Sequence, residues 1–174
     1  MSLFRVSPVH ASPLVGDEVH VVIETPSGSR TKYAWDADAH AFVVRKVLPL
    51  GTTFPYDFGF VPGTKAADGD PLDVLVLADE PLAAGCLVRC RVLGAIACKT
   101  SEEGGREVRN DRVIAVPMAS ILGAEWQTLD DLGARLVREI GDFLESYTRR
   151  EGRTFTMLGT IDRKAALELV RGAT

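Results

Sequence analysis

The chain has 174 residues, of which 46% are hydrophobic and 25% are charged, a composition typical of a globular protein. A chain of this length can bury one sizeable core, so we expect residues 1–174 to form a single domain. The formal net charge of −4 argues against a nucleic-acid partner, because nucleic-acid-binding proteins carry a basic surface. Residues 1–8 (MSLFRVSP) lack the apolar stretch of a signal peptide, and no segment has the roughly 20 apolar residues that span a bilayer. We therefore expect a cytoplasmic protein with no membrane partner.

The first two thirds of the chain predict strands. Six segments are rich in β-branched and aromatic residues and are separated by Pro, Gly and Asp turns: 18–24, 30–35, 41–47, 72–78, 86–98 and 108–116. We interpret the Pro- and Gly-rich passage 49–69 as a loop that the aromatic cluster at 54–60 packs onto the body. Several short strands separated by turns favour a sandwich or a small barrel.

The three cysteines lie in one predicted strand region, at Cys86, Cys90 and Cys98. Four residues of extended chain separate two side chains by roughly 13 Å, which is too far for a disulfide. We expect reduced thiols in the core.

A helical pattern begins after Trp126. Apolar residues recur at spacings of three or four, at Leu132, Leu136, Ile140, Phe143 and Tyr147. This spacing predicts an amphipathic helix with Thr128 as its N-cap and two arginines, Arg149 and Arg150, at its C-terminal end. A second, shorter helix is predicted over residues 162–170.

An acidic run precedes the apolar strand segment 74–77. Asp68, Asp70 and Asp73 lie within six residues, and like charges so close together repel one another, more strongly where a hydrophobic strand removes water. Protonation, a basic side chain or a hard cation would offset this repulsion. The alternatives at this point are a solvated Asx-rich turn and a site of oxygen ligands for a divalent cation.

Basic residues inside two predicted strands favour the second alternative. Lys32 and Arg45 each have apolar neighbours, although either one alone is more simply a solvated side chain at a sheet edge. Together with the acidic run they suit a phosphate ligand, because metal ions bind phosphate oxygens on one side and lysine and arginine bind them on the other. The ring of Tyr147 is expected in the core, with its hydroxyl within reach of a site at the helix end.

Three segments in a fixed order carry a specific pattern: 54–62 (FPYDFGFVP), 68–76 (DGDPLDVLV) and 113–117 (VIAVP). In this order they resemble the soluble family I inorganic pyrophosphatases. The resemblance runs from about residue 21 to about residue 116 and continues more weakly to Tyr147. It implies a mainly β fold with peripheral helices, namely a small closed OB-like barrel of about five strands plus two α-helices. It also implies metal-dependent hydrolysis of pyrophosphate to two phosphates, with several Mg²⁺ ions or other divalent cations, by a cytoplasmic homo-oligomer, a hexamer.

The resemblance also implies roles for individual residues. Asp70 would bind metal and act as the base toward the attacking water, and Lys32 and Arg45 would bind the leaving phosphate and neutralise its charge. The implied metal-binding residues are Asp68, Asp70, Asp73 and Glu24, and the implied substrate-binding residues are Lys32, Arg45, Arg112 and Tyr147.

Several positions depart from the family pattern. Ala34 replaces an acidic residue, Phe54 and Phe58 replace tyrosines, and Thr148 and Arg112 replace lysines. Asn110 stands where the family has a metal-binding aspartate, and Glu102 and Glu103 lie near the position of an acidic pair. Asparagine ligates a cation without adding negative charge, so we predict weaker occupancy of the later metal ions. Asp111 or Glu107 could compensate, although alternation would point Asp111 to the opposite strand face from Asn110.

These departures leave two alternatives to pyrophosphate hydrolysis. One is a catalytically impaired relative that binds metal and a phosphate ligand. The other is a hydrolase of a larger phosphoanhydride, for which the small side chain of Ala34 and the missing hydroxyl of Phe58 would make room.

Overall fold

The computed structural model describes residues 11–101 and 105–174. Three of the expectations above concern positions outside the described residues, namely segment 1–8, Glu102 and Glu103. In chain order, the elements are β1 (Leu14–Val15), β2 (Glu18–Thr25), β3 (Thr31–Asp36), β4 (Ala41–Val47), β5 (Asp57–Phe60), β6 (Asp73–Val76), β7 (Leu87–Ser101), β8 (Glu107–Arg109), β9 (Arg112–Pro117), a 3-10 helix (Leu129–Leu132), α1 (Ala134–Arg150), β10 (Phe155–Ile161) and α2 (Arg163–Gly172).

Five strands close into a barrel. The pairings run β2–β5–β6–β9–β7, and β7 also pairs with β2, which completes the ring. All pairs in the ring are antiparallel except β6–β9. The predicted small closed barrel with two helices is therefore confirmed. Neither helix in the described ranges has the length and apolar character needed to cross a bilayer.

A glycine allows the longest strand to bend around this ring. The pairing of β7 with β9 shifts register between Val92 and Gly94, which is a β-bulge that increases local twist. Gly94 has φ of +156°, and a Cβ there would lie 2.5 Å from the carbonyl oxygen of Ile161. Only glycine fits this position without a shift of the neighbouring backbone.

Alternate side chains of the barrel strands fill two apolar clusters, because successive residues of a strand face opposite sides. On β6, Val74 and Val76 belong to one cluster and Leu75 to the other. Helix α2 packs on the first cluster through Ala166, Leu167 and Val170. Helix α1 packs on the second through Ile140, Leu144 and Tyr147.

Strands β3 and β4 form a separate two-stranded sheet, which we call the hairpin sheet. Side-chain hydrogen bonds from β2 attach the hairpin sheet to the barrel. Thr25 Oγ1 accepts from Tyr33 N at 3.1 Å and donates to Tyr33 O at 3.2 Å, and Glu24 Oε1 accepts from Trp35 N at 2.9 Å. The hairpin sheet therefore lies beside the end of β2, where Glu24 is found.

Three strands were missed by sequence reasoning, namely β1, β5 and β10. β5 lies in the passage interpreted as a loop, and all four of its residues are buried. Gly59 in β5 is required by close packing rather than by a turn, since a Cβ there would lie 2.2 Å from Val22 O. β10 is an edge strand beside β7 with a register shift between Met157 and Gly159, so its sequence has no alternating pattern.

Other boundaries also differ from the expectations. Thr128 caps the 3-10 helix, and α1 begins only after Gly133, which has φ of +77°. The predicted strand 108–116 is divided into β8 and β9 at Asn110 and Asp111. Cys90 and Cys98 are buried, but Cys86 is exposed, because it precedes β7. The expectation of a core position was therefore wrong for Cys86.

Candidate active site

One pocket of about 830 Å³ lies between the barrel, the hairpin sheet and α1. All eight residues to which the resemblance assigned roles line it, together with Asn110, Thr148 and other residues. Five carboxylates and five cations contribute to the lining: Glu24, Asp68, Asp70, Asp73 and Glu151, and Lys32, Arg45, Lys46, Arg112 and Arg153. Such a mixture suits a polyanion bound together with cations.

The loop between β5 and β6 presents Asp68 and Asp70. Asp70 O accepts a hydrogen bond from Ala66 N at 2.7 Å, and Asp68 Oδ1 accepts one from Asp70 N at 3.2 Å. Gly69 between them has φ of +92°, a conformation that glycine adopts readily. Within the described ranges, no basic side chain lies within 4.0 Å of either carboxylate. Both carboxylates are therefore available to a ligand.

Glu24 lies near the end of β2 and is half-buried. Burial raises the pKa of its carboxyl, while the Trp35 N–H, Lys32 and Arg45 oppose this effect. The hydrogen bond from Trp35 fixes Oε1. Glu24 is thus held in place and faces a desolvated environment in which a nearby cation would favour the charged form.

Arg112 bridges Asp73 and Asn110. The parallel pairing of β6 and β9 aligns Val74 with Val113, so the preceding residues, Asp73 and Arg112, lie side by side and form an ion pair. Arg112 Nη1 also donates to Asn110 Oδ1 at 2.5 Å. The side chain is 12% exposed, and burial lowers the pKa of Arg112 to about 10, against the opposing effect of Asp68.

The hydroxyl of Tyr147 is buried and has no hydrogen-bond partner among the described residues. Its ring packs against Phe54 and Phe143, with centroid distances of 5.4 and 5.8 Å, and Lys32 Nζ lies 5.6 Å from the ring centroid. A buried hydroxyl without a partner is destabilising by about 1–3 kcal/mol. A phosphate oxygen in the pocket would remove that penalty.

The structure places Asn110, a departure from the family pattern, and Asp111, a residue considered as its compensation. Asn110 is 7% exposed, and its Nδ2 donates to Thr100 Oγ1 at 3.4 Å. Asp111 does not line the pocket, because its Oδ1 accepts from Cys98 N at 3.0 Å and from Arg109 Nε at 2.5 Å. It therefore does not replace the missing carboxylate.

Three charged residues of the pocket were missed by sequence reasoning: Lys46, Glu151 and Arg153. Lys46 directly follows Arg45, and strict alternation would have placed the two on opposite faces. Glu151 and Arg153 follow the two arginines at the end of α1 and carry no motif of their own. Thr148, where the resemblance expects a lysine, is 5% exposed and lines the pocket without a charge.

The donor set suits a hard divalent cation, since it consists of carboxylates and the amide oxygen of Asn110. The side chains of Asp68, Asp70, Asp73 and Glu24 share one pocket. As placed, however, no three acidic, histidine or cysteine side chains of residues 11–101 and 105–174 are close enough to hold one ion. Asp73 in particular has Arg112 as its partner.

Comparisons with known proteins agree with this geometry. The family model described as inorganic pyrophosphatase matches residues 21–174. An inorganic pyrophosphatase of Thermus thermophilus is 41% identical, covering 90% of this chain and 91% of its own length, and one of Synechocystis is 35% identical, covering 94% of each chain. A crystal structure of an inorganic pyrophosphatase from Thermus thermophilus has a TM-score of 0.83 at 38% identity, covering 93% of this chain and 92% of that one. A Coxiella burnetii inorganic pyrophosphatase structure has a TM-score of 0.84 at 33% identity, covering 94% and 97%. The chain belongs to the inorganic pyrophosphatase family.

Proposed function

We propose that the chain hydrolyses inorganic pyrophosphate to two phosphates in a metal-dependent reaction. The observation that carries this proposal is a shared pocket in which carboxylates of β2, β6 and the β5–β6 loop face cations of the hairpin sheet and β9. Membership in the family supports the same activity and does not favour the alternatives of an impaired binding protein or of a hydrolase for larger phosphoanhydrides.

Four carboxylates are proposed to hold the metal: Asp68, Asp70, Asp73 and Glu24. Mg²⁺ is the proposed ion, because it binds oxygen ligands and commonly shares its shell with substrate phosphates. When bound, the metal would lower the pKa of a water molecule and orient it toward phosphorus. Asp73 would exchange Arg112 for the ion, and Asn110 would contribute at most a neutral oxygen.

The chain's own residues have separate parts in the proposed reaction. The carboxylate of Asp70 takes a proton from the attacking water as the water oxygen bonds to phosphorus and the bridging P–O bond breaks. Lys32 and Arg45 bind the departing phosphate, on which negative charge accumulates. Arg112 and Tyr147 bind non-bridging oxygens and hold the substrate in line. The apolar rings of Phe58 and Tyr147 limit access of further water.

The proposal extends to location and assembly. We propose a cytoplasmic location and assembly as a homo-oligomer, which by resemblance is a hexamer. Three large apolar side chains in the segment after β9 are exposed by 40%, 83% and 73%: Met118, Ile121 and Leu122. Such a cluster supports contact with another protein surface.

A phosphate-release assay with pyrophosphate and Mg²⁺ tests the activity, and Asp70→Asn tests the site. Removal of a general base reduces kcat by about 10²–10⁴-fold, and we expect a loss of that size with an unchanged melting temperature, since the Asp70 side chain has no ion pair within the described ranges. Asp38→Asn, in the exposed turn between β3 and β4, is the matched control. No turnover by the unmodified protein at any Mg²⁺ concentration would refute the proposed activity.

A further inference from the structure

Lys46 reaches the pocket because of an irregularity in the hairpin sheet. Lys32 pairs with Lys46, but the next residue, Tyr33, pairs with Val44, so Arg45 is an extra residue in β4. Two successive residues of a regular strand face opposite sides, and a bulge relaxes that constraint. Arg45 and Lys46 consequently both line the pocket, alongside Lys32.

This arrangement places like charges together. Lys32 and Lys46 are direct cross-strand partners, and like charges in such a pair are destabilising. The Lys46 side chain is 30% exposed, and burial, followed by the charges of Lys32 and Arg153, lowers the pKa of Lys46 to about 8. A bound anion would offset the repulsion and the desolvation together.

Glu151 is an incomplete counter-charge for this group. Its Oε1 forms an ion pair with Lys46, and its Oε2 lies 3.8 Å from Arg153 Nη1. One carboxylate therefore pairs with two cations, and Lys32, the cross-strand partner of Lys46, adds a third positive charge nearby. Arg153 is fixed separately, because its Nε donates to Ser101 O at 2.7 Å. Lys46 donates no such backbone hydrogen bond among residues 11–101 and 105–174, and its Nζ lies 4.1 Å from the centroid of the Tyr147 ring.

We propose that Lys46 is a further substrate-binding residue, which binds the phosphate group on the Tyr147 side of the pocket in competition with Glu151. The inference rests on the proposed function, since it needs a substrate with two linked phosphates. A phosphate oxygen replaces the Glu151 carboxylate as the partner of the Lys46 ammonium, and Glu151 keeps its contact with Arg153. Lys46 thereby supplies, from β4, a cation on the side of the pocket where α1 presents the uncharged Thr148.

Opposite effects of two substitutions test the competition. The probe is methylenediphosphonate, a pyrophosphate analogue that cannot be hydrolysed, titrated calorimetrically in the presence of Mg²⁺. We expect Lys46→Gln to weaken binding by about tenfold or more, as for loss of a charge-assisted hydrogen bond. We expect Glu151→Gln to leave binding unchanged or to strengthen it. Lys164→Gln, an identical change at an exposed position of α2, should have no effect.

A purely structural ion pair gives a different result. If Lys46 and Glu151 only join β4 to the end of α1, then Lys46→Gln and Glu151→Gln will lower the melting temperature equally and change the affinity in the same direction. That result would overturn the inference. An unchanged affinity in Lys46→Gln would overturn it as well.

The pH dependence provides a second, independent readout through Lys46→Arg. Arginine stays charged where lysine with a pKa of about 8 loses its proton, so affinity should fall more steeply in the unmodified protein than in Lys46→Arg from about pH 7 to about pH 9.5. The groups facing Lys46 are Lys32, Glu151, Arg153 and the Tyr147 ring, and they are common to both proteins. Parallel curves would overturn the inference. Binding of the analogue without turnover of pyrophosphate would refute the proposed function alone and leave the role of Lys46 standing.

Discussion

Replacement of Arg112 by methionine should destabilise the metal-free protein by leaving Asp73 without its partner. Exposed ion pairs contribute up to about 1 kcal/mol, whereas removing one partner of a buried pair costs about 3–5 kcal/mol. Arg112 and Asp73 lie between these cases, with side chains 12% and 25% exposed. Because burial already lowers the pKa of Arg112 to about 10, desolvation offsets part of the attraction. We therefore expect a loss of about 2 kcal/mol in the free energy of unfolding.

The assay is thermal unfolding in the presence of a chelator. A loss of this size in a chain of 174 residues corresponds to a fall of about 4–8 °C in melting temperature. Methionine retains an apolar stem beside Phe58, whose ring centroid lies 5.9 Å from the Arg112 guanidinium carbon. The loss therefore reports mainly on charge and hydrogen bonding.

A double-mutant cycle with Asp73→Asn isolates the pair. We expect the two changes to be non-additive, with a coupling of about 1 kcal/mol or more. We also expect saturating Mg²⁺ to reduce the effect of Arg112→Met, because a metal ion would give the Asp73 carboxylate a new partner. Additive effects of the two substitutions, with and without Mg²⁺, would refute this account of the Asp73–Arg112 contact.

Three further predictions concern other parts of the molecule. Tyr147→Phe should raise KM for pyrophosphate by about tenfold, because a hydrogen bond to the substrate is lost. The melting temperature should not fall, because the hydroxyl has no partner among the described residues. A lower melting temperature at unchanged KM would contradict this prediction. In equilibrium unfolding, Gly59→Ala should have its midpoint at a much lower denaturant concentration than Gly172→Ala. A Cβ at Gly59 would lie 2.2 Å from Val22 O, whereas a Cβ at Gly172 has nothing within 4 Å. Equal midpoints would show that β5 can move away from β2. A thiol reagent at neutral pH should modify one cysteine in the native protein and none in Cys86→Ser. Cys86 is exposed, whereas burial raises the pKa of Cys90 and of Cys98 to about 12. Two or more fast-reacting thiols would contradict the burial of Cys90 and Cys98.

The parts of the fold that sequence reasoning predicted correctly are those in which local pattern and tertiary packing agree. Helices α1 and α2 have helical apolar patterns, and β7 contains a run of apolar residues that is buried from Val92 to Cys98. β5 could not be predicted in this way, because a four-residue strand buried on every side has no pattern that separates it from a packed loop. β10 lies at a sheet edge with exposed residues, so little in its composition depends on pairing.

For the site, the acidic run at 68–73 indicated a cluster of carboxylates but left a solvated turn as an alternative, and the roles of individual residues came from the family resemblance. The position of Lys46 could not be predicted, because it depends on a one-residue bulge at Arg45. The position of Arg112 beside Asp73 follows from the parallel pairing of β6 and β9, which brings together residues far apart in the chain. Strand register between residues far apart in the chain cannot be predicted from the sequence of any short segment.

The attachment of the hairpin sheet affects the distance between the cations and the carboxylates of the pocket. Lys32, Arg45 and Lys46 all belong to this sheet, whereas Asp73 and Arg112 begin strands of the barrel. Apart from its chain connections, the hairpin sheet meets β2 through the hydrogen bonds made by Glu24 and Thr25. The Lys46–Glu151 ion pair attaches the hairpin sheet to the end of α1 as well. The distance between the cations of the hairpin sheet and the barrel carboxylates therefore depends on a few polar contacts. A substitution at the buried Thr25 would change that distance, and with it the length of polyanion that fits the pocket.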